Sequence, residues 1–98
     1  MERLGHLKMY KLKFLGKAQS DLKNIDRAHQ KIIKEKLLIL VKNPEVLKNN
    51  IKRLGGTKND YYRLRVGNYR VIFKKEEKQL IIIIVRIGHR KEIYFSLK

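Results

Sequence analysis

Apolar and polar positions along this chain switch between a period of two and the helical period, and each switch marks an element. Met9-Tyr10-Lys11-Leu12-Lys13-Phe14 alternates apolar and basic side chains, as a half-buried first strand does, and Gly16 ends it. From about Lys17 to Ile25, Ala18, Leu22 and Ile25 recur at helical spacing. Asp26 then stands where it caps a second helix starting near Arg27. Ile33, Leu37, Leu40 and Val41 form the stripe of that helix, Leu38 and Ile39 widen it, and Pro44 ends it at about Lys42. Residues 45 to 50 read as a connection, followed by a short strand over Ile51–Leu54 that Gly55-Gly56 ends. Glu76-Glu77-Lys78 makes a polar turn. Gln79 to Ile87 forms the last strand, whose continuous isoleucines predict a central position buried on both faces, with Gly88 interrupting it.

The most informative stretch lies between them. Tyr61 to Phe73 alternates throughout and carries Gly67-Asn68 at its middle, a dipeptide whose backbone takes the positive φ values that a tight hairpin requires. Closing the hairpin there opposes Val66 to Tyr69, Arg65 to Arg70, Leu64 to Val71 and Arg63 to Ile72. Tyr62, Leu64, Val66, Tyr69, Val71 and Phe73 then form the core side, while Arg63, Arg65 and Arg70 face the other way. Two guanidinium groups opposed on a sheet repel, which costs stability unless solvent screens them or an anion sits between them. Anion binding is therefore the leading reading, ahead of a merely solvated basic face.

The order strand, two helices, strand meander predicts an α+β domain with two N-terminal helices packed on one face of a small, mostly antiparallel sheet. No repeat or linker divides the chain, so residues 1–98 read as a single domain with a short extension over 1–8. Charge narrows the partners. Lys and Arg total 25 against 9 Asp and Glu, a formal charge of +16 spread among periodic apolar positions, which predicts a folded basic domain attracted to nucleic acid. The chain has no cysteine, which excludes a disulfide framework and thiolate chemistry. Its longest apolar run, Leu80–Val85, is far short of a membrane span, and no signal peptide is evident, so a cytoplasmic location without a membrane partner is expected.

His6, His29 and His89 have no metal-ligand spacing, and no carboxylates form the convergent pair of a two-metal nuclease, so no cofactor is expected. Phosphoryl chemistry without a metal selects RNA, whose 2′-hydroxyl can attack its own phosphate. Arginines supply positioning and charge stabilisation for that reaction. Proton transfer needs another group, and Gly88-His89-Arg90-Lys91-Glu92-Ile93-Tyr94 offers one. His89 is a candidate general acid or base, Arg90 adds a fourth guanidinium, and Tyr94 is placed to stack on a base or orient a proton. His29, on a lysine-rich helix, and His6, in the extension, read as structural or solvated.

The order of elements, with Tyr-Tyr-Arg-Leu-Arg-Val-Gly-Asn-Tyr-Arg-Val-Ile-Phe (61–73) and Gly-His-Arg-Lys-Glu-Ile-Tyr (88–94), resembles the RelE branch of the RelE/ParE toxin superfamily from about Met9 to Phe95. The resemblance implies a type II toxin that enters the ribosomal A site, cuts mRNA there without metal, and is masked by an acidic antitoxin. It implies phosphate contact and assistance to proton transfer for Arg63 and Arg65. For Arg70 and Arg90 it implies transition-state stabilisation, and for Tyr94 base stacking. Some relatives carry lysine where this chain has Arg63 and Arg65, and a lysine gives up its proton far more readily than a guanidinium. That departure leaves the general base open, with His89 as the candidate. The alternatives are a ParE-like poison of DNA gyrase and a non-catalytic RNA- or ribosome-binding module.

Overall fold

Gly67 adopts φ 59, the left-handed value that glycine reaches without steric cost, and the hairpin closes around it. The register is the one that alternation predicts: Val66 opposite Tyr69, Arg65 opposite Arg70, Leu64 opposite Val71 and Arg63 opposite Ile72. The computed structural model describes residues 9–54 and 60–89. In chain order the elements are strand β1 (Lys11–Phe14), helices α1 (Gly16–Lys23) and α2 (Arg27–Lys42), a 3-10 helix (Pro44–Asn50), and strands β2 (Ile51–Leu54), β3 (Tyr61–Val66), β4 (Tyr69–Glu76) and β5 (Ile81–His89). The five strands form one sheet in the order β1-β5-β4-β3-β2. β1 runs parallel to β5, and the other neighbours are antiparallel. The expected extension over residues 1–8 and the Gly55-Gly56 strand end lie outside the described residues.

α2 begins and ends where local chemistry dictates. Asp26 caps α2, its carboxylate accepting the His29 amide at 3.2 Å. Proline cannot continue α2 but suits the first turn of a new helix, so residues 45 to 50, expected as a connection, instead form the 3-10 helix and bury Leu47. Ile33, Leu37, Leu40 and Val41 of α2, with Ala18 of α1, pack on Leu64, Val66, Val71, Phe73, Ile82, Ile84 and Ile87. The helix-facing side of the sheet is thus the core. No helix among the described residues is long and apolar enough to cross a membrane.

The last strand differs from its sequence reading. β5 buries Ile82, Ile84 and Ile87, but Ile81, Ile83 and Val85 are only half-buried. The strand buried on both faces is the central β4, from Arg70 to Phe73. Gly88 does not interrupt β5 either; it pairs with Arg70. The irregularity falls at Val85, an extra residue between the Ile72–Arg86 and Phe73–Ile84 pairs.

β1 pairs with β5 only as far as Ile84, which leaves the rest of that β5 edge without a strand. Asp21 of α1 fills the gap. Its carboxylate accepts the Ile87 amide at 2.9 Å and two guanidinium N–H groups of Arg86 at 2.8 and 3.1 Å. Those hydrogen bonds hold the Arg86 guanidinium above its ordinary pKa. Asp21→Ala would strand all three N–H donors at a partly buried site, so a loss of about 2 kcal/mol is expected. Urea unfolding with an unchanged slope checks it; a loss below measurement would remove Asp21 as the link between helix and sheet.

Candidate nucleic-acid interface

The face of the sheet turned away from the helices is a basic platform. Alternation puts Arg63 and Arg65 on it from β3, and register adds Arg70 opposite Arg65. A second row across the sheet carries Lys52, Arg63, Ile72 and Arg86. In a third row Lys74 and Lys13 flank Ile83, and the Lys74 ammonium lies 5.8 Å from the centre of the Tyr61 ring. Lys11 and Glu76 follow opposite Ile81. Basic residues therefore come from all five strands, with a tyrosine among them.

The opposed pair Arg65 and Arg70 resolves its repulsion asymmetrically. Arg65 is exposed, whereas Arg70 is only 8% exposed and folds back over the turn. Its Nη1 donates to the carbonyls of Gly67 at 2.9 Å and Tyr69 at 3.0 Å, so partial negative charge of the backbone compensates the guanidinium. Arg63 is half-buried, and its Nε is fully buried with no hydrogen-bond partner among the described residues. Three aspartates are engaged elsewhere: Asp21 with Arg86, Asp26 with His29, and Asp60 with Arg53 at 2.6 Å. Among the described residues no carboxylate pairs with Arg63 or Arg65. Arg65, exposed and without a carboxylate partner among the described residues, presents guanidinium donors suited to phosphate oxygens.

The structure thus brings Arg63, Arg65 and Arg70 to one face. It does not bring His89 there. His89 pairs with Tyr69, on the helix side, and its ring centre is 4.6 Å from that of Tyr69. Arg90 and Tyr94 lie outside the described residues.

The family follows from comparison with known proteins. A family model described as the ParE toxin of the type II toxin-antitoxin system parDE matches residues 12–94. A putative RelE-like toxin protein of Escherichia coli is 30% identical over 83 residues, covering 84% of this chain and 84% of that protein. The chain belongs to the RelE branch of the RelE/ParE superfamily of type II toxins. Solved structures agree. The archaeal RelE-RelB complex from Pyrococcus horikoshii OT3 matches with a TM-score of 0.72 and 29% identity, over 86% of this chain and 98% of that one. The RelB-RelE antitoxin-toxin complex from Methanococcus jannaschii matches with a TM-score of 0.61 and 35% identity, over 84% and 94%.

In this RelE-branch toxin the sequence reading found the three arginines of the hairpin but missed the rest of the platform. Lys52, Lys74 and Arg86 join it only once the registers of β2 and β5 are known. His29, expected to be structural or solvated, is tied to the helix cap. Its ring centre lies 5.2 Å from that of Tyr69, and its Nδ1 is 2.7 Å from Asp26 Oδ1. The hydrogen bond to the His29 ring, followed by that to its amide, holds the Asp26 carboxyl below the usual range. The one signal for it in the sequence was the spacing of three between a helix-capping aspartate and a histidine.

Proposed function

We propose that this RelE-branch toxin is a metal-independent, ribosome-dependent endoribonuclease that cuts mRNA in the ribosomal A site and so inhibits translation. The observation that carries the proposal is the pair Arg63 and Arg65, set on the sheet face opposite the helices without a carboxylate partner among the described residues, with Arg70 in register beside them. In the reaction the 2′-hydroxyl attacks the adjacent phosphorus, loses its proton, and expels the 5′-oxygen of the next nucleotide. Arg63 and Arg65 hold the non-bridging oxygens. Arg70 and Arg90 stabilise the charge that accumulates on them in the transition state. His89 is the candidate for proton transfer, and Tyr94 stacks on a base. Four arginines supply charge but little that fixes free RNA in line for attack, which is why the ribosome is required.

Primer extension on translated and on naked transcripts tests this. Cleavage confined to the translated transcript is expected. Equal cleavage of both, or none of the translated one, would overturn it. The family model described as ParE favours a second reading, poisoning of DNA gyrase, and a supercoiling assay beside the translation assay separates the two.

Relatives solved as RelE-RelB complexes support a cognate antitoxin for this toxin as well. An acidic segment laid over the platform would place carboxylates against Arg63 and Arg65. Its affinity is then expected to fall as salt rises, as for any partner held by charge at an exposed face.

A further inference from the structure

We propose that His29, Tyr69 and His89 form a ledge at the turn end of the sheet on which an unpaired base of the bound RNA strand stacks. The inference rests on the RNA-binding role proposed above and extends it to the opposite side of the sheet. Three rings from three elements meet there: His29 from the first turn of α2, Tyr69 from the start of β4 and His89 from the end of β5. Both histidine rings contact the same phenol, at 5.2 and 4.6 Å between centres, tilted by 53° and 35°. These separations fall within the range for favourable aromatic pairs.

A cluster serving only the core would be enclosed. Here the His29 side chain is 53% exposed and His89 is exposed, while Tyr69 is half-buried against the core and anchors both. The His29 ring is held from two sides. The Asp26 carboxylate grips Nδ1 at 2.7 and 3.0 Å, and Tyr69 supports the ring. A surface ring already fixed in place loses little freedom when a base stacks on it, so the contact is pre-organised. Imidazole and phenol rings are the kind of platform on which unpaired bases stack, largely without regard to sequence.

The ledge is also continuous with the basic platform. Tyr69 and Arg70 are adjacent, their side chains point to opposite faces, and Arg70 Nη1 donates to the Tyr69 carbonyl at 3.0 Å. A guanidinium therefore sits at the backbone of the residue whose ring anchors the ledge.

The test uses the full chain and short single-stranded 2′-O-methyl oligoribonucleotides, which cannot undergo the attack, so that anisotropy reports binding alone. An abasic residue is placed at each position in turn. One or two positions are expected to weaken binding roughly tenfold. His29→Gln, at a residue with no part in the proposed chemistry, is expected to weaken the intact strand by a similar factor and to erase the abasic effect. The double variant with His89→Gln should do so completely, with a parental circular dichroism spectrum. Tight, salt-dependent binding that is indifferent to abasic substitution at every position would overturn the ledge and leave the basic platform standing. Failure of the parent protein to bind any strand would overturn both.

Discussion

Arg70→Ala is expected to lower the single-turnover rate on saturating programmed ribosomes by about a hundredfold to a thousandfold, the usual cost of removing one preorganised donor from a developing oxyanion. The loss should appear in the rate and not in ribosome affinity, because the contact strengthens as charge moves onto the phosphate oxygens. Position in the fold supports the size of the effect. Arg70 is nearly buried and tied to the Gly67 and Tyr69 carbonyls, so its guanidinium is held in place before substrate arrives. The same ties mean that the substitution also loosens the turn. That cost should stay at about 1 kcal/mol, since Gly67 is exposed and water replaces the donor there. Arg70→Lys separates the two effects, because it keeps a charge but loses the planar fork and should recover little of the rate. Lys34→Ala, on the exposed side of α2, should leave the chemical step unchanged. Parental single-turnover rates in the alanine and lysine variants would remove Arg70 from the site.

What the sequence disclosed and what it withheld divide along a physical line. Interactions within one hairpin or one helix turn were legible. Gly67-Asn68 sets a register, the register forces Arg65 against Arg70, and Asp26 caps the helix that follows it. Each of these depends on residues close in sequence and on backbone geometry with few alternatives. Interactions between elements were not legible. Nothing local says that β5 inserts between β1 and β4, and without that order Arg86 cannot be assigned to the arginine row. Asp21 reads as an ordinary surface acid on a helix. It becomes an edge acceptor only because β1 stops at Phe14 and the Ile87 amide is left without a strand partner. The isoleucine run suggested burial on both faces, yet burial on both faces falls to β4, the central strand, a position that only the strand order reveals. His29 and His89 were read apart for the same reason, since whole elements separate them in the chain and Tyr69 joins them only in the fold.

His89 carries the second large expected effect. Histidine is the side chain whose ordinary pKa lies near neutrality, which suits it to give or take the proton that the arginines, always charged, cannot. Its place on the helix side of the sheet makes the demand specific. The reacting oxygen must lie at the turn end, where the Tyr69–Arg70 peptide brings the two faces together, and not over the middle of the platform. If His89 transfers the proton there, His89→Gln lowers the single-turnover rate by roughly a hundredfold, within the range for general acid–base catalysis, and flattens one limb of the pH–rate profile. A stacking role alone leaves a different trace. The base then loses one ring of its ledge, the loss shows at low ribosome concentration, and it disappears at saturation while both limbs of the profile remain. His29→Gln provides the reference, because it removes the other ring without touching the proposed proton path and should reproduce the binding loss with the profile intact. A His89→Gln protein with the parental rate and an unaltered profile at saturation would return the proton transfer to Tyr94, to an arginine, or to the ribosome itself.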